Sequence, residues 1–220
     1  MEGLPHHYDP KRTLAIQGNE LRPAEIACGL SHLTLWRQLM DDQRADAYVI
    51  FEDDAQIVAD IPNLLKDVDI SKMTMVRLNS MKTRNRINRT VQELTPPYRV
   101  IKLPYGLLGT LAYVIAKPAA EKLIPYCEQF TAAIDTMYDR SYENGVPVYA
   151  IHPYPVSLPT SSLRETDPGF LSQIQPPMAM PKYSPSLSLY GRTKIRFLRL
   201  MRSSQKRLAE AGILLQKVLR

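Results

Sequence analysis

The run Ala47-Tyr48-Val49-Ile50-Phe51 is apolar throughout and is followed at once by three acids, Glu52-Asp53-Asp54. This junction restricts the available folds more than any other feature of the chain. Unbroken apolarity over a strand-length segment predicts a strand buried on both faces, as in the mostly parallel sheet of an α/β domain. Dense negative charge at the end of such a strand packs poorly. It suits a divalent cation and a phosphate at the mouth of the sheet, because ligands of α/β folds gather at the carboxyl ends of strands. Short carboxylate side chains there offer hard oxygen donors to Mg²⁺ or Mn²⁺. Alternate residues point the same way, so Glu52 and Asp54 are the expected metal ligands. Asp53 is directed toward a ribose, a backbone turn or a basic partner. A solvated surface loop can carry the same triplet, so the surrounding chain has to decide.

That surrounding pattern reads as alternating elements. Pro23 at a first helical position and Glu25 in the first turn open a helix. Its apolar face is Ile26, Leu30, Leu33, Trp36 and Met40, and Asp41-Asp42 ends it. Met73–Leu78 reads as a second strand, Lys82–Arg89 as an exposed basic loop and Tyr98–Leu103 as an edge strand stopped by Pro104. Leu107–Ala116 is strongly apolar, and Gly109 within it permits a bulge or a close approach. Lys117-Pro118 starts a helix to about Gln129, Ala132–Tyr142 forms another, and Val146–Ile151 is a short strand. These boundaries predict a core over residues 1–151, a proline-punctuated loop or lid over 152–191, and a basic amphipathic helix over 192–220, interrupted near Gly212.

The formal charge is +6, but it is unevenly placed. Residues 1–60 hold eleven acids against five Lys or Arg, whereas nine Lys or Arg and the single acid Glu210 follow from Arg192 onward. Such a tail favours an anionic partner, a membrane surface or lipid-linked acceptor. A nucleic-acid partner is disfavoured by the acidic triplet and the lack of a recognisable binding module. Cys28 and Cys127 give neither a disulfide framework nor a zinc spacing and read as reduced thiols, Cys28 as a small core side chain. No stretch has the length of a membrane span, and the opening residues lack a secretory pattern.

Two blocks taken together are more specific than the triplet. Glu25-Ile26-Ala27-Cys28-Gly29-Leu30-Ser31-His32-Leu33-Thr34-Leu35-Trp36 precedes Tyr48-Val49-Ile50-Phe51-Glu52-Asp53-Asp54-Ala55. With Gly109–Tyr113, Ala119-Ala120-Glu121-Lys122-Leu123 and Ile134-Asp135, the chain over roughly residues 20–160 resembles glycosyltransferase family 25. These are lipooligosaccharide and lipopolysaccharide sugar transferases related to collagen galactosyltransferases. Gly29 follows Cys28 here, where the family usually has Gly before Cys. The resemblance implies a GT-A-like fold and transfer of a hexose, commonly galactose from UDP-galactose, with Mn²⁺ or Mg²⁺ as cofactor.

It also implies roles for particular residues. Glu52, Asp53 and Asp54 match the acidic metal and donor site, and Ser31 and His32 match polar helix positions beside the sugar nucleotide. Asp135 and Asp54 are the candidate catalytic carboxylates. Asp135 would accept the acceptor's hydroxyl proton or support the metal; a helix cap or a pair with Arg140 explains it equally. His32 either orients a phosphate or hydroxyl, or donates to a carbonyl as an ordinary half-buried imidazole. Gly109 and Thr110, with Tyr105-Gly106, can shape a sugar pocket, and Arg84, Arg86 and Arg89 can meet a diphosphate or simply solvate a loop.

The family usually opens with an apolar strand, an arginine-containing turn and a helix. The residues before Glu25 contain no such unit, and Leu14-Ala15-Ile16 is too short to supply the strand. The expectation is an amino-terminally shortened core, or one completed by another segment or subunit, with self-association at exposed sheet edges. The expected setting is peripheral, on the inner face of the bacterial cytoplasmic membrane, with Ile195, Phe197, Leu198, Leu200, Met201, Leu208, Ile213, Leu214, Leu215, Val218 and Leu219 of the tail entering the lipid interface. The competing reading is a degenerate transferase fold serving as a membrane adaptor.

Overall fold

The computed structural model describes residues 8–81, 87–158 and 183–218. Two helices precede the first strand. Helix α1 (Pro10–Gln17) is capped by the Asp9 carboxylate, which accepts from Lys11 N and Arg12 N, and Gly18 ends it in the left-handed region. Helix α2 (Pro23–Asp41) begins at Pro23 as its sequence predicts, and Glu25 Oε2 accepts from Arg22 N at 2.8 Å. Then follow β1 (Ala47–Phe51), β2 (Gln56–Ile57), α3 (Ile61–Leu65), β3 (Met75–Arg77), β4 (Arg89–Glu93), β5 (Arg99–Leu103) and β6 (Ala112–Ala116). The remainder is α4 (Lys117–Cys127), α5 (Ile134–Tyr138), α6 (Ser141–Asn144), β7 (Val148–His152), β8 (Val156–Ser157) and the long α7 (Leu189–Val218).

The main sheet has six strands in the order β1-β6-β3-β7-β5-β4, and β2 pairs with β8 in a separate ribbon. Among the described residues of this sheet only β3 and β7 run parallel; the pairings β1–β6, β3–β6, β5–β7 and β4–β5 are antiparallel. The expected mostly parallel sheet is therefore wrong: the α/β sheet is mixed and mainly antiparallel. Continuous apolarity reports burial of both faces, and an interior antiparallel strand covered on both sides has the same composition. Strand β6 is that case, buried at every position between β1 and β3. Its Tyr113 and Ile115 face the core built with α2 and α4, while Ala112 and Val114 face the core under α3.

Two strands exchange their expected places. Strand β1 lies at the sheet edge, with Val49 42% and Phe51 37% exposed, not buried on both faces. Strand β5, read as an edge, is interior because polar β4 pairs along its outer side. Arg89–Glu93 lacked the apolar pattern that would have marked it as a strand. Helix α7 runs through Gly212 without a break. An interior glycine costs a helix only about 1 kcal/mol relative to Ala, and the packing of Ile195 and Ile213 on the same side outweighs it. Arg84 and Arg86, and residues 159–182 of the proline-punctuated segment, lie outside the described residues.

Candidate functional site

The site grows from the end of β1. Phe51 pairs with Ala112, and Glu52 N donates to Leu111 O at 2.9 Å, which brings Glu52 beside the residues leading into β6. The chain then turns, with Ala55 N donating to Glu52 O at 3.1 Å. This turn leaves Asp53 exposed and Asp54 half-buried, while Glu52 points inward against α2.

Helix α2 presents Cys28 and His32 to Glu52 because residues four apart share a helix face. His32 Nε2 lies 3.4 Å from Glu52 Oε1, and Cys28 Sγ lies 3.9 Å from the same oxygen. Thr110 donates its hydroxyl to Glu52 Oε1 and sits 3.7 Å from Cys28 Sγ. Behind His32, Tyr113 OH is 2.7 Å from Nδ1, and Trp36 Nε1 donates to Tyr113 OH at 2.8 Å. These contacts fit one direction of donation, from Trp36 to Tyr113, Tyr113 to His32 Nδ1, and His32 Nε2–H to Glu52. Burial favours a neutral Glu52, but hydrogen bonds from His32 and Thr110 and the positive charge of Arg77 offset it. The net result holds the carboxyl below its ordinary range.

Donor atoms of Cys28, His32 and Glu52 all lie within 4.8 Å of one another, a spacing that suits shared coordination of one ion. Among the described residues Asp54 is not part of this trio, so Glu52 finds its co-ligands on α2 and not on the acidic turn. The donor set selects among ions. Imidazole plus carboxylate suits Mn²⁺ and other transition ions, whereas a thiol is a poor ligand for Mg²⁺. Burial pushes the Cys28 thiol up to about 11, with the charges of Glu52 and Asp135 adding to it. Cys28 therefore carries a proton at neutral pH that an ion would have to displace. If Nε2 of His32 bound an ion, the proton would move to Nδ1, which could then donate to Tyr113 OH, an outer-shell partner of the kind that fixes ligating histidines.

A second cluster holds the loop that delivers Thr110. Arg77 follows Met75 by two residues on the α2 side of β3 and is fully buried opposite Tyr113. Its Nη1 donates to Tyr138 OH at 2.5 Å and lies 3.4 Å from Asp139 Oδ1; its Nη2 donates to Leu108 O at 3.0 Å and to Gly109 O. Tyr138 OH donates to Gly109 O at 2.6 Å, Leu108 N donates to Asp139 Oδ2 at 2.5 Å, and Gly109 N donates to Asp135 Oδ2 at 2.8 Å. Leu108 and Gly109 adopt φ of 59° and 78°. Two successive left-handed residues let four side chains, Arg77 from β3, Asp135 and Tyr138 from α5 and Asp139 just after it, grip the loop backbone. Burial opposes the Arg77 charge, but Tyr138, Asp139 and Asp135 outweigh it and favour the protonated guanidinium.

The candidates from sequence thus separate. Glu52, His32 and Thr110 converge. Gly109 and Asp135 meet each other one residue away, where Asp135 also accepts from Thr136 N at 2.5 Å. Ser31 is exposed on α2 and donates to Ala27 O at 3.1 Å, and Asp53 is exposed in the turn. Arg89 is half-buried at the start of β4. Gly29, in place of the family's usual order, lets α2 close on Phe130, since a Cβ there would lie 2.7 Å from Phe130 Cε1. Sequence reasoning missed Cys28, although its spacing of four from His32 on a helix was a readable signal. It also missed Arg77, Tyr113, Tyr138 and Asp139, which carry no local motif.

A family model described as "Glycosyltransferase family 25 (LPS biosynthesis protein)" matches residues 3–138. Procollagen galactosyltransferase 2 of Mus musculus is 24% identical over 127 residues, covering 56% of this chain and 19% of the mouse protein. The chain therefore matches about a fifth of that relative's length.

Proposed function

Because the chain belongs to glycosyltransferase family 25, we propose that it transfers a hexose, galactose from UDP-galactose, to a lipid-linked lipooligosaccharide or lipopolysaccharide glycan. The single observation that carries the reading is the convergence of Cys28, His32 and Glu52 at the end of β1, within the residues that the family model matches. The mouse relative's name supports galactose as the donor sugar. The family's description supports the glycan class of the acceptor and a peripheral position on the inner face of the cytoplasmic membrane. Among the described residues no helix is long and apolar enough to cross a membrane.

His32 and Glu52 would hold the cation, with Cys28 as a third ligand once deprotonated, and this set favours Mn²⁺ over Mg²⁺. When bound, the ion neutralises the donor's phosphates and stabilises the departing diphosphate. The chain's own residues supply the rest. Thr110 aims Glu52, and Tyr113 fixes the His32 ring. Asp53 in the exposed turn and Ser31 on α2 contact the nucleotide. Gly109, held by Asp135 and Arg77, lets the loop backbone approach the sugar.

In the transfer step an acceptor hydroxyl oxygen bonds to the anomeric carbon as the bond from that carbon to the diphosphate breaks. Asp54 takes the hydroxyl proton. Asp135, whose carboxylate already accepts from two backbone amides, serves the reaction by fixing the loop.

The test is UDP release from a panel of UDP-sugars with Mn²⁺ or Mg²⁺ and mixed oligosaccharide acceptors. The wild type is expected to prefer UDP-galactose with Mn²⁺, and Glu52→Gln to lose about 100-fold or more in turnover. Undiminished turnover in Glu52→Gln would remove the site assignment. A folded wild type that turns over none of the panel would favour the noncatalytic adaptor.

A further inference from the structure

Helix α7 turns two unlike faces outward and inward. Ile195 and Ile213, eighteen residues and therefore about five turns apart, are both buried on the inner side. The inner cations are used within the fold. Arg199 Nη2 donates to Gln17 O at 2.9 Å, Arg202 Nε meets Glu143 Oε1 at 3.0 Å, and Lys206 Nζ lies 5.2 Å from the centre of the Tyr105 ring. Glu210, the helix's single acid, accepts from Tyr105 OH at 2.7 Å.

The outer side is apolar. At about 100° per residue, Tyr190, Phe197, Leu200, Met201, Leu208 and Leu215 fall within one arc opposite Ile195 and Ile213. They are solvent-facing, with Phe197 61%, Leu200 67% and Leu208 73% exposed. Thr193, Ser204 and Ala211 complete the arc without charge. Exposed cations border it, Arg196 and Arg207 along one side and Lys194 along the other.

We propose that this outer stripe is a membrane-docking face, on which the protein lies with α7 parallel to an anionic bilayer. The reading deepens the membrane setting proposed above by assigning the face and its residues, and it does not depend on the transfer chemistry. An apolar strip flanked by cations matches the acyl boundary and headgroups of an anionic leaflet. A second copy of the helix is a poorer partner. The outer half has no acid, so two copies would bring Lys194, Arg196 and Arg207 against like charge. The same helix packs on Tyr105, the residue opening the loop that ends at Thr110, which ties the docked element to the Glu52 site.

Cosedimentation of the full chain with phosphatidylcholine vesicles, with and without phosphatidylglycerol, tests this. The wild type should bind the anionic vesicles preferentially. The pair Phe197→Glu and Leu208→Glu, and separately the triple Lys194→Gln, Arg196→Gln and Arg207→Gln, should each weaken binding about tenfold. Near-ultraviolet circular dichroism of buried Trp36 should be unchanged in both. In Phe197→Trp the emission should shift to the blue on anionic vesicles. Three results would overturn the proposal: equal binding to both vesicle types, retention of binding by the glutamate pair, or an oligomer in sedimentation equilibrium that the pair dissociates while vesicles go unbound. Transfer to a soluble acceptor, measured in the same variants, separates the two readings. Its loss in the wild type with vesicle binding intact would count against the enzyme and leave the docking face standing.

Discussion

Glu52 holds its charge against partial burial because His32 and Thr110 donate to one of its oxygens and Arg77 adds a positive field. A carboxyl whose folded pKa lies below its ordinary value of 4.5 stabilises the fold above that value and loses the contribution as pH falls through the folded value. Urea midpoints of wild type and Glu52→Gln should therefore differ most near neutrality and converge in acid; a gap independent of pH would contradict the assignment. Arg77 is the more expensive residue to lose. It is fully buried and donates to Tyr138 and to the carbonyls of Leu108 and Gly109, so Arg77→Met removes the buried ion pair with Asp139 and the guanidinium donor to Leu108 O, while Gly109 O keeps Tyr138 OH. The expected cost is about 3–5 kcal/mol in urea unfolding. A loss within the range of an exposed ion pair, under about 1 kcal/mol, would show that the clamp contributes little. Tyr113→Phe keeps the ring but removes the hydroxyl at His32 Nδ1, and should weaken Mn²⁺ binding by about 10–100-fold.

The loop from Gly106 to Thr110 is the element that joins the two clusters. A Cβ on Gly106 would lie 1.8 Å from Asp139 Cγ, and Asp139 is fixed by Leu108 N and by the Arg77 guanidinium. Gly106→Ala should therefore displace the loop at a cost of about 1–3 kcal/mol, with UDP affinity falling alongside thermal stability. Unchanged UDP binding in a destabilised variant would separate the loop from the donor pocket. This element also shows where sequence reasoning succeeds and stops. The amphipathic pattern of α2 and the proline at its start placed Cys28, His32 and Trp36 on one helix, and the apolar run placed Glu52 at a strand end. What sits opposite a strand end depends on pairing partners, and the pairing of β1 with β6 has no local signature. The antiparallel register that brings Thr110 to Glu52 was therefore invisible, as was Arg77, a lone cation in a short strand. Helix α7 was legible as basic and amphipathic. Its apolar side facing outward follows from the Arg199, Arg202 and Lys206 contacts, which only the fold reveals.

At the scale of the molecule, a mixed sheet carries a helix-sided core and a separate core under α3. The site forms where α2 crosses the end of edge strand β1. This placement gives Glu52 packed partners on one side and an open acidic turn on the other, which suits the proposed role of holding an ion and admitting a diphosphate. The family match over residues 3–138 spans every residue of the trio and stops before α7, so the proposed chemistry and the proposed docking face occupy different parts of the chain. By linkage, an ion that bridges protein and nucleotide must strengthen the binding of each by the same factor. Calorimetric titration of Mn²⁺ into the protein, with and without UDP, in wild type and Glu52→Gln, measures this coupling. One Mn²⁺ site in the wild type, tightened by UDP and weakened about tenfold or more in Glu52→Gln, is the predicted result. Equal Mn²⁺ binding by both proteins, or none by the wild type in the presence of UDP, would contradict a metal centre at Glu52.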